Sequence, residues 1–418
     1  MLWSNEDYTY TCRTIVANLY NGYGGGVRVT LNIVKALLED GCRVDLVSLS
    51  GLSPSKLEEV HGIDLQQYLK RGKLKIHYKF SRLPIMAKAR LFAIRTFENY
   101  LIEKLNHVGI ENVSLAIFFD DITSRVLELL EKHSIPVILY IHFSYVHRIA
   151  LALYGEIFKE RFSSSFEILK ERLMRTAFRK IFAWIPDYKN VKVLANSTIT
   201  RTATRIVWKI DPQVLYPPVY VPNHIRNKAI RRGIAEGKEN LIVTLGVFEP
   251  SKRHDVVLET FSKSRIVQDA KLFLIGSPSH NAYLRYLYDK VREMNIKDRV
   301  KIILNADEKT KWYLLSKAKA IVHPKIFEPF GIAVAEGMCA GAIPIVYKGP
   351  LSGPWIDIVK RGKYGFGFRD LEELSDRIEL AINNYDKHVK EMHVLERCSY
   401  FEYKNFKNEF INTVKSIT

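Results

Sequence analysis

The sequence predicts an α/β protein of two Rossmann-like domains whose parallel sheets face each other across a cleft. Three observations carry this. Short β-rich runs alternate with helical stretches through the first half, the same alternation recurs in the second, and a proline-rich break separates the two. At 418 residues the chain is too long for one core, since single cores stop growing at about 250–300 residues. Strand–helix alternation implies crossover connections, which cover both faces of a parallel sheet.

The first strand is expected at Arg13–Asn18, running into Tyr20-Asn21-Gly22-Tyr23-Gly24-Gly25-Gly26. A helix follows through Val29, Leu31, Ile33, Val34, Leu37 and Leu38, whose spacing gathers them on one face, and Gly41 ends it. Arg43–Leu49 is the next strand, followed by Leu115–Phe119, Val137–Ile141 and Val191–Ala195. Leu215–Pro222 holds three prolines and breaks regular structure, and a polar, basic run from 223 to 240 continues the break. Beyond it, strands are expected at Leu241–Gly246, Lys271–Gly276, Val300–Leu304, Ala320–His323 and Ile343–Tyr347. The expected organisation is an N-terminal domain over 1–222, a C-terminal domain over 223–399 and a terminal helix over 400–418. That last segment spaces Phe401, Phe406, Phe410, Ile411 and Val414 helically.

The formal net charge of +18 favours acidic partners: nucleic acid, an anionic membrane surface or phosphorylated small molecules. Zinc-finger, aromatic RNA-binding and Arg-rich signatures are absent from the sequence, which argues against nucleic acid. Runs 86–95 and 169–182 mix basic and apolar residues as amphipathic helices do. Such helices either lie on a membrane or pack on a core with a solvated basic face. No apolar run reaches the roughly 18 residues of a membrane span. Met1–Tyr10 carries Glu6 and Asp7 and does not read as a signal peptide. Cys12, Cys42, Cys339 and Cys398 lack metal-ligand spacing and read as buried thiols of a reducing cytosol.

The most informative stretch is Phe327-Glu328-Pro329-Phe330-Gly331-Ile332-Ala333-Val334-Ala335-Glu336. Pro329 biases Glu328 away from helical backbone, so a helix begins near Gly331 or Ile332 and ends at Gly341. Glu328 then stands at the helix mouth and Glu336 about one turn in. The first amides of that helix (Phe330, Gly331 and Ile332 lie at its start) lack intrahelical partners and suit a phosphate. A diphosphate on amides with carboxylates beside it to grip hydroxyls describes a nucleotide sugar. Gly24-Gly25-Gly26, between strand and helix, lets backbone approach a ligand at the carboxyl end of a parallel strand. The loop lacks a G-x-G-x-x-G fingerprint, which disfavours NAD. His142 ends the strand Val137–Ile141 at the same edge, with His147 the weaker choice. Lys252, in the loop Gly246–His254, can place a point charge on a phosphate.

The pair Glu328 and Glu336 with Pro-Phe-Gly between them resembles the Glu-x7-Glu signature of the retaining family-4 glycosyltransferases of the GT-B fold. The resemblance runs from residue 13 to about 370. It implies that Glu328 contacts the donor sugar, that Glu336 holds the ribose hydroxyls, and that His142 shapes the reaction centre. It implies donor contacts for Gly25, Gly26, Lys252, Arg253, Phe330, Gly331 and Ile332, with Glu328 and His142 the catalytic pair and no metal site. On the same footing 1–222 is the acceptor domain, 223–399 the donor domain, and 400–418 returns to the first. The family usually has an arginine five residues before the lysine; Val247 stands there, leaving Arg253 or Arg28 to compensate.

Ser197-Thr198, Trp208, Tyr216-Pro217-Pro218-Val219 and Ser352–Val359 are similar to the branch that adds α-1,2-mannose to lipid-diphosphate-linked oligosaccharides of the dolichol pathway. That implies a mannosyltransferase using GDP-mannose rather than a UDP-sugar, without a cofactor, in glycan or glycoprotein precursor assembly. It would be cytoplasmic and peripheral on the cytosolic membrane face. Two other readings stay open: transfer to a soluble sugar or glucan, and a non-catalytic basic protein that binds polyanions or membranes. Asp120-Asp121 is read as capping the helix after it rather than binding a metal.

Overall fold

The computed structural model describes residues 12–22, 24–51, 53–81, 90–142, 181–223, 225 and 236–418. They form two compact units: Met1–Asn196 with Thr200–Leu215 and Lys407–Thr418, and Ser197–Ile199 with Tyr216–Phe406.

The first unit is built on eight parallel strands: β1 Arg13–Ala17, β2 Tyr20–Asn21, β3 Arg43–Gly51, β4 Leu74–Phe80, β5 Leu115–Phe119, β6 Val137–Ile141, β7 Val191–Ala195 and β8 Gln213–Val214. Their order is β2-β3-β1-β5-β6-β7-β8, with β4 also paired to β3. Ile15, Val16, Val137 and Leu139 are fully buried, as continuous apolar runs in a covered parallel sheet require. Helix α1, Gly25–Glu39, turns Val29, Leu31, Ile33, Val34 and Leu37 inward. Strand β4 has no counterpart in the sequence reading, although its Leu-Lys-Ile-His-Tyr-Lys-Phe alternation is that of a half-buried strand. Lys79 and Phe80 close that strand. Residues 90–95 open the helix Arg90–Val108, which buries Ala93, Ile94, Leu101 and Leu105 and so packs on the core. Residues 86–89, His147 and all but the end of run 169–182 lie outside the described residues.

The second unit carries six parallel strands: β9 Glu239–Leu245, β10 Lys271–Gly276, β11 Val300–Leu304, β12 Ala318–His323, β13 Ile343–Tyr347 and β14 Phe366–Phe368. Their order is β11-β10-β9-β12-β13-β14. Sheet order reverses at β9, and ligands of such sheets bind beyond the carboxyl ends of strands near that point. The helix Tyr403–Lys415 buries Phe406, Phe410, Ile411 and Val414. Its Lys407 meets Glu39 at 2.8 Å and its Glu409 accepts from Gln213 at 3.0 Å, all within the first unit.

The cysteines correct the reading of free thiols: Cys12 pairs with Cys42, and Cys339 with Cys398. Parallel register is the reason for the first. Arg13 lies opposite Arg43, so the residues just before β1 and β3 come within 4.7 Å at Cα. The second pair joins the ends of two short helices, Ile332–Cys339 and Val394–Cys398. Neither juxtaposition is visible in linear spacing. Replacing both Cys339 and Cys398 with serine should lower stability by about 2–4 kcal/mol, read as an earlier denaturant midpoint. An unchanged midpoint would show that the pair contributes nothing.

Candidate active site

The Glu328 loop follows β12, whose last residue is His323. A downstream segment fixes it from both sides. Glu328 N–H donates to Leu351 O at 3.2 Å, and Gly353 N–H donates to Glu328 O at 2.7 Å. Gly353 has to be glycine, because a Cβ there would meet Pro329 O at 1.8 Å. Gly331 has φ +92°, and a Cβ on it would meet Pro354 Cγ at 2.7 Å. The helix α2, Ile332–Cys339, starts directly after Gly331, so its partnerless first amides stand beside the Glu328 loop. Phe330 is itself buried, stacked on Tyr216 at 5.5 Å and edge-on to Phe401 at 5.5 Å. Its side chain anchors the loop, which leaves only its backbone for a ligand.

The Glu328 carboxylate lies among cations. Lys252 Nζ donates to Oε2 at 2.9 Å, Lys325 Nζ lies 3.4 Å from the same oxygen and His323 Nε2 3.3 Å from it. The imidazole is too poorly aligned for a hydrogen bond. Burial pushes Glu328 upward, but Lys252, Lys325 and His323 outweigh it and hold its carboxyl well below the usual range. Burial likewise draws Lys252 down, and Glu328 more than reverses this, leaving the ammonium above its ordinary value. Sequence and structure thus meet at Lys252 and Glu328, while Lys325 and His323 are additions. Val247 is exposed, and Arg253, at φ 54°, is the left-handed residue that opens the helix His254–Lys263.

Glu336 lies one turn into α2 and is buried, with Oε1 2.6 Å from Lys311 Nζ. Lys311 also reaches Glu308 at 2.8 Å, and the Trp312 indole donates to Glu308 at 3.3 Å. Lys311, on the helix Glu308–Lys317, was not singled out by the sequence, where it is one lysine among many. Asp357 is a second buried carboxylate of this unit's site. It accepts from Thr198 N at 2.9 Å, Thr198 Oγ1 at 2.5 Å and the Tyr216 hydroxyl at 3.0 Å, and the Arg397 guanidinium donates to the Asp357 and Ile358 carbonyls. Burial raises its carboxyl above the ordinary value despite these donors. The branch-like residues Thr198, Tyr216 and Asp357, far apart in sequence, are therefore one hydrogen-bonded cluster.

In the first unit Gly24 has φ +113° and precedes α1, whose first residues are Gly25 and Gly26. A Cβ on Gly26 would lie 3.6 Å from the His142 ring, so loop and imidazole are neighbours. His142 follows β6. Its N–H donates to Asp120 Oδ1 at 2.8 Å, and its ring stacks on Phe119 and meets Tyr140 edge-on. Its Nε2 is buried without a hydrogen-bond partner among the described residues. Burial lowers its pKa, which keeps it neutral near pH 7 and able to accept or donate one hydrogen bond. Asp120 turns to His142 instead of capping the next helix, whose N-cap is Thr123.

Residues 226–395 match the family described as glycosyl transferases group 1. The chain is 27% identical over 272 residues to a Dictyostelium discoideum protein named GDP-Man:Man(3)GlcNAc(2)-PP-Dol alpha-1,2-mannosyltransferase, covering 61% of this chain and 53% of that one. A Neurospora crassa protein of the same name is 26% identical over 250 residues, 53% of this chain and 45% of that one. The chain thus spans about half the length of these relatives. Among solved structures, Anabaena HepE with UDP and glucose superposes with a TM-score of 0.66 at 15% identity, covering 97% of this chain and 100% of that one. WaaG, a glycosyltransferase of lipopolysaccharide biosynthesis, gives 0.67 at 13% identity, covering 95% and 98%. The chain therefore shares the fold of two Rossmann-like parallel-sheet units with these solved GT-B structures, and residues 226–395 are similar to the glycosyl transferases group 1 family.

Proposed function

We propose that the chain is a retaining hexosyltransferase that moves mannose from GDP-mannose to a lipid-diphosphate-linked glycan. The observation that carries the reading is Glu328, a largely enclosed carboxylate kept ionised by two lysines beside helix amides that lack intrahelical partners. In the proposed reaction the bond from the sugar's anomeric carbon to the diphosphate oxygen breaks, and a bond to the acceptor hydroxyl oxygen forms on the same face. The hydroxyl proton passes to the departing diphosphate. Negative charge develops on that group, and Lys252 with the amides at Phe330, Gly331 and Ile332 is suited to stabilise it. Glu336 takes the ribose; within the first unit, Gly25 and Gly26 can approach a ligand through backbone, and His142, neutral, can offer its ring nitrogen to a hydroxyl.

The names of the relatives support mannose, the GDP donor and the lipid-linked acceptor. The charge of +18 suits an anionic membrane surface, and no described helix is long and apolar enough to cross a membrane. We place the protein peripherally on the cytosolic face. With the cysteines paired, thiols no longer argue for that side.

Thermal shift with GDP-mannose, UDP-glucose, UDP-N-acetylglucosamine and the free nucleotides tests the donor. GDP-mannose at 100 times its Kd should stabilise by about 2.7 kcal/mol, with UDP-sugars giving less. Transfer of labelled mannose to a lipid extract, unchanged by EDTA, completes the test. Transfer only to soluble sugars would replace the acceptor assignment, and no shift with any nucleotide sugar would favour the non-catalytic reading.

A further inference from the structure

The cluster at Glu328 holds more positive charge than its carboxylate balances. Lys252 and Lys325 share one oxygen, Oε2, and each lysine side chain is only 18% exposed. Charged hydrogen bonds run about 2.7–2.9 Å, so Lys252 at 2.9 Å makes one, whereas Lys325 at 3.4 Å stands off. His323 is buried, and burial lowers its pKa even against the pull of Glu328, so it adds no full charge at neutral pH. Glu249 favours both ammonium groups from a distance but forms an ion pair with neither among the described residues; its Oε1 accepts from Ser251 Oγ at 2.5 Å. Two half-enclosed cations are left in direct contact with one carboxylate, and Glu249 acts on them only at longer range.

The two lysines respond differently. Glu328 secures Lys252 above its ordinary value. Burial draws Lys325 down, Glu328 only partly restores it, and the charge of Lys252 opposes it further. Holding an uncompensated cation in a protected site is unfavourable unless an anion arrives. The sequence supplies a second reason. Val247 stands where an arginine was expected, while Lys325, on the loop after β12, brings an additional cation to the oxygen that Lys252 holds.

We propose that Lys325 binds the donor's diphosphate beside Lys252, as the second cation of a phosphate clamp that has no arginine at position 247. The proposal rests on the nucleotide-sugar reading above. With a diphosphate present, Lys325 gains its missing counter-charge and Glu328 remains with Lys252. In the empty protein the burial cost of the Lys325 charge is not fully offset by Glu328, so removing that charge should not lower stability.

Calorimetric titration of the full chain with GDP, UDP and guanosine tests this in wild type, Lys325→Met, Lys325→Gln and Lys325→Arg. A lost charge-assisted contact should weaken GDP about 10–100-fold in the Met and Gln variants and leave guanosine unchanged. The Arg variant should recover most of the affinity, and the melting temperature of the empty Met variant should not fall. GDP affinity equal to wild type in both neutral variants would overturn the proposal. So would parallel loss of GDP and guanosine with a lower melting temperature, the signature of a structural role. A wild-type chain that binds neither GDP nor UDP would remove the donor reading itself, and the proposal with it.

Discussion

Replacing Glu328 with glutamine should cut transfer by about 10²–10³-fold, because its carboxylate holds Lys252 in place and losing a donor at developing negative charge costs that much. The folded protein should persist, because glutamine fills the same space and the loop is held by backbone bonds to Leu351 and Gly353. Steady-state transfer and circular dichroism on the same preparation check both halves, and near-wild-type rates would remove Glu328 from the reaction. The variant should also lose a pH dependence. Because the folded pKa of Glu328 lies well below its ordinary 4.5, ionisation stabilises the fold above pH 4.5. That contribution disappears as pH falls from there through the folded value. Acid titration of stability should therefore flatten in Glu328→Gln; an unaltered acid limb would show that other carboxylates set it.

Removing Lys311 should be the most destabilising single change at the site. Glu336 is buried with Lys311 at 2.6 Å, and removing one member of a buried ion pair costs about 3–5 kcal/mol. For a unit of this size that amounts to a fall of about 6–20 °C in melting temperature for Lys311→Met. Adding Glu336→Leu should restore much of the loss, since an apolar pair can replace a buried ion pair at little net cost. The double variant should still fail to bind GDP if Glu336 holds the ribose. Stability and binding are thereby separated. A rescued double variant with wild-type GDP affinity would confine Glu336 to a structural role.

How much of this was legible in sequence follows from the range of the interactions. The strands Leu115–Phe119, Val137–Ile141, Lys271–Gly276 and Ile343–Tyr347 coincide with sequence expectation because each is a short, largely buried apolar run. The turn into α2 was legible too, because Pro329, Gly331 and Gly341 act locally on the backbone. Side-chain partners were not. Lys325 reads as one surface lysine until β12 and the Pro250–Lys252 turn bring two ammonium groups to one oxygen. Lys311 meets Glu336 across 25 residues, and Asp357 meets Thr198 across 159. The Cys12–Cys42 pair needed the β1–β3 register, which hydrophobic pattern alone does not specify.

The bonds that flank Glu328 tie its chemistry to a part of the chain that carries none. Leu351 accepts from its amide and Gly353 donates to its carbonyl, so the carboxylate inherits the placement of a segment more than twenty residues downstream. Gly353 and Gly331 are closed to side chains by the atoms they face. Between β13 and Gly353, by contrast, Lys348–Leu351 runs half-buried to exposed. Variation in that short arc would move Glu328 without touching any ligand-binding group. On the proposed reading, it is the place where a directed library would shift Glu328 against the donor sugar.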